Sequence, residues 1–66
     1  MKIEQNKSYH LILPNSRVDR KVHIDYILPS KCYNNEELVV YRYYEQHRRA
    51  WVQEIIERYK LEMYNE

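Results

Sequence analysis

The sequence predicts a small α+β domain, an antiparallel sheet of three strands with one C-terminal helix packed on one face. Residues 17–28 alternate at period two, with Val18, Val22, Ile24, Tyr26 and Leu28 on one side and mostly charged residues on the other. Residues 38–44, LVVYRYY, are rich in β-branched and aromatic types suited to a strand. After His47 the spacing changes: Trp51, Val52, Ile55, Ile56, Tyr59 and Met63 fall within an arc of roughly 140° at 100° per residue, as an amphipathic helix requires.

Taken in order, residues 1–7 are polar apart from Ile3 and are expected to fray. Residues 8–13 alternate, with Tyr9, Leu11 and Leu13 on one face, and Pro14 halts the pattern. Pro14, Asn15 and Ser16 make a turn, so the strand at 17–28 pairs antiparallel with the first. On that second strand Arg20 is the polar exception on the apolar face and Ile27 the apolar exception on the wet face. Residues 30–37, SKCYNNEE, have turn composition. The third strand puts Leu38, Val40 and Tyr44 on one face and Val39, Tyr41 and Tyr43 on the other. The helix then starts between Glu45 and Arg48 and lays Trp51, Ile55, Ile56, Tyr59 and Met63 on the sheet, without an obvious cap. The alternative reading makes residues 45–49 a hairpin turn and residues 50–56 a fourth strand, giving an all-β, SH3-like small barrel.

Sixty-six residues make one small domain, near the size where a single core barely outweighs the entropy of ordering the chain. Cys32 is the only cysteine, so an intrachain disulfide cannot help, and it sits without a CxxC or a spaced histidine partner. We therefore expect support from a homodimer or from docking on a larger partner. The N-terminus lacks the apolar core of a signal peptide, and no stretch approaches the ~20 apolar residues of a membrane span, so a cytoplasmic location and no membrane partner are expected.

Glycine is absent, which excludes Gly-rich phosphate-cradling loops and leaves turns to Asn, Asp, Ser and Pro. Histidines 10, 23 and 47 lack a third ligand at a recognisable spacing, so neither metal nor cofactor is expected. Asp25 follows His23 by two residues, but no serine or cysteine nucleophile is placed beside the pair, and so short a chain offers little room for a cleft of ~300 Å³. The chain is expected not to be an enzyme. Its formal charge is +1, with the basic excess in residues 1–33, six cations against three acids. Proteins that rely on phosphate contacts usually show a stronger basic balance.

The run Tyr41, Arg42, Tyr43, Tyr44, His47, Arg48, Arg49, Trp51 carries the functional potential, since tyrosine, tryptophan and arginine dominate protein-binding hot spots. Two functions follow. In the first, Val39, Tyr41, Arg42, Tyr43, Arg48 and Arg49 form a patch that docks on a larger protein, as an inhibitor or adaptor, or on a second copy. In the second, Arg17, Arg20, Lys21, Arg42, Arg48 and Arg49 hold the phosphates of a nucleic acid while exposed tyrosines stack on bases.

The Tyr/Asn/Lys/Ile/Glu-rich, glycine-free composition, as in YNNEE (residues 33–37) and ERYKLEMYNE (residues 57–66), resembles that of short accessory proteins encoded by phages and mobile elements of AT-rich bacteria. The resemblance is compositional, spans the whole chain and assigns no residue roles. It implies an anti-host or regulatory protein that binds and inhibits or redirects a host protein, and so favours the first function.

Overall fold

The computed structural model describes residues 2–14, 16, 18–29 and 36–66. It is an antiparallel meander of four strands in the order β1-β2-β3-β4, followed by one short helix. The strands are β1 (Ser8–Leu11), β2 (Arg20–Pro29), β3 (Glu37–Glu45) and β4 (Ala50–Glu57), and the helix is α1 (Arg58–Tyr64). The expected sheet with a C-terminal helix is present, with four strands in place of three. Among the described residues no helix is long and apolar enough to cross a membrane. The expectations for Cys32 and the loop around it, and for Arg17, fall on residues outside those described.

The correction lies in residues 50–57, which are strand where the apolar spacing predicted helix. Trp51, Val52, Ile55 and Ile56 satisfy both periods: on a helix all four cluster, and on a strand Trp51 and Ile55 take one face while Val52 and Ile56 take the other. The strand is chosen because β4 pairs with β3 without interruption from Glu45↔Ala50 to Leu38↔Glu57. The hairpin of the alternative reading is thus the one adopted, but the sheet remains an open meander. Residues Gln46 to Arg49 form the turn, where Arg49 has φ 52°. With no glycine in the chain, the left-handed positions among the described residues go to Arg49 and Asn6, of which only asparagine tolerates that conformation readily.

Strand β2 holds the second correction. Its register with β3 runs His23↔Arg42 and Ile24↔Tyr41, then resumes at Tyr26↔Val40, so Asp25 is an extra residue, a β-bulge. The bulge reverses the alternation. Val22 and Ile24 face the core as expected, but beyond Asp25 it is Ile27 that packs against the core, while Tyr26 and Leu28 turn to the other face and are exposed. The apolar exception on the wet face, Ile27, is the trace of this reversal in the sequence.

One face of the sheet is covered. Leu11, Val22, Ile24, Val39, Tyr41 and Ile56 line it, and Ile3, Leu13 and Leu61 close over them from the N-terminal segment, the segment after β1 and the helix. The N-terminal segment is docked rather than frayed. Ile3 is buried, the Asn6 N–H donates to the Ile24 carbonyl at 2.8 Å, and the Ile24 N–H donates to the Lys7 carbonyl at 2.9 Å.

Tyr41 lies inside this core, and burial pushes its hydroxyl up to about 12, with the Glu54 carboxylate and Tyr43 adding to the shift. An unfolded chain loses this proton near pH 10, before the folded one does. The stabilisation is therefore complete below about pH 10 and is lost as pH rises through 10 toward 12, a change of about 2–3 kcal/mol for a two-unit difference. Urea unfolding of wild type and Tyr41→Phe across pH 8–12 is expected to show a shallower alkaline decline in the variant; parallel curves would exclude Tyr41 as its source.

Candidate functional site: the uncovered face of the sheet

Among the described residues, none forms a layer over the second face of the sheet. Antiparallel sheets commonly leave one face to water, and that face is then polar. Here it is polar only in part. From the Leu28 end it presents Leu28, Leu38 and Glu57, then Tyr26, Val40 and Ile55 in register, then Ser8, His23, Arg42 and Gln53, and finally His10, Lys21, Tyr44 and Trp51. Trp51 is 66% exposed, Ile55 57% and Tyr26 56%. One end is thus mostly apolar and the other aromatic and basic.

Asp25 organises the middle of the face. The bulge sets its side chain beside that of Tyr26, and the carboxylate reaches three neighbours: Arg42 Nε at 3.3 Å and His23 Nε2 at 3.8 Å from Oδ1, and Gln53 Nε2, which donates to Oδ2 at 3.1 Å. His23 Nδ1 in turn lies 3.1 Å from the Ser8 hydroxyl. This ties all four strands together across the open side. It also holds Arg42 with its guanidinium carbon 5.8 Å from the centre of the Trp51 ring, which meets Tyr44 edge-on at 5.7 Å. Beside these rings a shallow groove of about 480 Å³ is lined by His10, Lys21, His23, Tyr44 and Trp51, among others.

The expected protein-binding residues do not form one patch. Val39 and Tyr41 are core, at 0% and 2% exposure, because the covering layer sits on their face of β3 and leaves the Leu38, Val40 and Tyr44 face open. Tyr43 is half-buried on that same covered side, stacked on Tyr41 at 6.3 Å, with its hydroxyl donating to Glu54 Oε1 at 2.8 Å. Burial and then that bond to a carboxylate hold the hydroxyl above its ordinary range. Of the six, Arg42 is on the open face, and Arg48 and Arg49 are exposed in the β3–β4 turn.

The expected phosphate-binding set is split too. Lys21 and Arg42 share the open face, while Arg20, which borders the groove together with Asp19, turns to the covered side, bonded to Glu45 Oε2 at 3.2 Å with its guanidinium carbon 4.8 Å from the Tyr43 ring centre. The Glu45 carboxyl is held below its usual range by the His47 backbone N–H and then by Arg20. What residue-by-residue reading missed is the pair Tyr26 and Leu28, together with Ile55 and Trp51 as surface. An aspartate in mid-strand followed two residues later by an out-of-phase isoleucine was the available signal.

The fold and this face define a small antiparallel-sheet protein, closed by its chain ends on one side and, among the described residues, open on the other. Comparison with protein-family models, with curated proteins and with solved structures finds no match.

Proposed function

We propose that the protein is a non-enzymatic protein-binding module that docks on a larger protein, as an inhibitor or adaptor, through the uncovered face of its sheet. The observation that carries this reading is the exposure of Tyr26, Leu28, Tyr44, Trp51 and Ile55 together on one face while a full core exists on the other. Monomeric proteins rarely leave so many large apolar side chains contiguous, and such patches mark interaction sites. The Asp25 network holds Arg42 and, through it, Trp51 in place before binding, which lowers the ordering cost of two hot-spot residue types. The partner surface that fits is apolar opposite Leu28, Val40 and Ile55 and acidic opposite Lys21 and Arg48.

The test is quantitative affinity capture from the native host with wild type and with Tyr26→Ser/Leu28→Glu. These substitutions lie on the open face, so the melting temperature is expected to stay nearly constant, while recovery of the specific partner falls at least tenfold. A recovered set unchanged by a folded variant would overturn the reading. One observation favours a second reading, single-stranded nucleic acid: the groove that joins Lys21, His10 and His23 to the Tyr44 and Trp51 rings. Gel shifts with single-stranded DNA and RNA at low salt separate the two. A shift that disappears steeply with added salt and is lost in Trp51→Ala selects the second reading, and the absence of any shift selects the first.

A further inference from the structure

The two edges of the sheet are treated differently by the chain. At the β1 edge, the Asn65 side chain closes off the backbone just beyond the strand: its Oδ1 accepts from the Ile12 N–H at 2.7 Å, and its Nδ2 donates to the Ile12 carbonyl at 2.9 Å. That strand is also only four residues long. At the other edge, β4 is eight residues, AWVQEIIE, and pairs only with β3 among the described residues. It has no proline, no lysine and no break in register, devices that protect such an edge, and its two carboxylates, Glu54 and Glu57, are engaged by Tyr43 and Lys60 of their own chain.

We propose that the β4 edge pairs antiparallel with the β4 edge of a second copy of this chain, about a two-fold axis at Gln53, to make one continuous eight-stranded sheet. Antiparallel partners directly opposite one another share a face, so a symmetric pairing must place one residue against its own copy. With Gln53 on the axis, Trp51 opposes Ile55 of the second copy, and Ile55 opposes its Trp51. These are aromatic and β-branched cross-strand pairs on the open face, both now exposed. Val52 opposes Glu54, the one mismatched pair, on the other face; Ala50 opposes Ile56, and one position further out Arg49, in the turn, comes opposite Glu57, an opposite-charge pair formed twice. Neighbouring registers lack this complementarity. An axis at Glu54 sets two carboxylates against each other and Trp51 against Glu57, and one at Val52 runs Ile55 against Arg49 and leaves Glu57 opposite His47 of the turn.

Two features of the monomer agree with the Gln53 axis. The Gln53 side chain leans away from the edge, over β3, to reach Asp25, so the axis is not obstructed. The Arg49 side chain is exposed in the turn at the end of β4 and makes no ion pair among the described residues, so its guanidinium is accessible to a second copy. The pairing concerns the edge and does not depend on what the open face binds.

Sedimentation equilibrium on the full chain is expected to show a reversible dimer with a micromolar constant, as suits the small area of an edge contact. In a Cys32→Ser background, Gln53→Cys is expected to form a disulfide-linked dimer under mild oxidation, much faster than Trp51→Cys or Ile55→Cys, whose copies stand well apart in this register. Arg49→Asp and Glu57→Arg should each weaken dimerisation about tenfold, and the double variant should recover it; aspartate is chosen because it tolerates the left-handed backbone. A monomer at 0.5 mM would overturn the proposal. So would fastest cross-linking at Val40→Cys, which reports stacked faces, or a double variant no tighter than either single one.

Discussion

Leu61→Ala is expected to lower stability by about 3 kcal/mol, within the range for deleting a fully buried leucine side chain. For a chain of this size that is a large share of the total. The effect should concentrate in α1, because little local structure sustains that helix beyond the Arg58–Glu62 pair and the Asn65 side chain on the Leu61 carbonyl. It has seven residues, Glu57 at its N-cap makes no side-chain hydrogen bond, the first turn carries no acid and the last no base. A helix that short is not stable in water by itself. Leu61 is its only buried residue, so truncating it removes the main reason for the helix to stay on the sheet. Urea melts should show the loss, and hydrogen exchange should show the α1 amides opening before those of β2 and β3. A cost below about 1 kcal/mol, with α1 protection intact, would mean that the helix is held by something other than this contact.

What the sequence disclosed and what it hid divide along a physical line. Strict alternation was reliable where the strand is regular: Tyr9, Leu11 and Leu13 do share the buried face, and β1 and β2 do pair antiparallel. It failed at Asp25, since a bulge changes the phase of everything after it while leaving the composition as it was. It failed again at residues 50–57, where apolar positions at i, i+1, i+4 and i+5 fit either period and the decision rests on pairing with β3, a long-range fact. The exposed face was inverted for a third reason. Which side of β3 is covered depends on Ile3, Leu13 and Leu61, isolated residues near the chain ends whose destination no local period expresses. Both faces of residues 38–44 were correctly read as apolar; only the covering layer could show that Val39 and Tyr41 are interior and that Leu38, Val40 and Tyr44 are not.

Arg58 joins the chain ends to the sheet more directly than any apolar contact, and Arg58→Ala is expected to cost about 2 kcal/mol. Its guanidinium donates from Nη2 to the Ile3 carbonyl at 2.8 Å, from Nη1 to Glu37 Oε2 at 2.9 Å and from Nε to Glu62 Oε1 at 2.8 Å. The three acceptors belong to the N-terminal segment, to the start of β3 and to α1, so one planar fork fixes three pieces of chain that share no secondary structure. The side chain is 22% exposed, and solvent screening brings the total below the sum of three charge-assisted bonds. Most of the effect should come from the Ile3 carbonyl, which belongs to a buried residue and would lose this donor. Lysine carries the same charge without the fork, and its ammonium on a flexible stem cannot reproduce three bonds fixed in one plane. Arg58→Lys is therefore expected to recover less than half of the lost stability in urea melts, with amide exchange in residues 3–7 faster than in wild type. If lysine restores the full stability, the interaction is one of charge alone, and the docking of the N-terminal segment owes nothing to the geometry of the guanidinium.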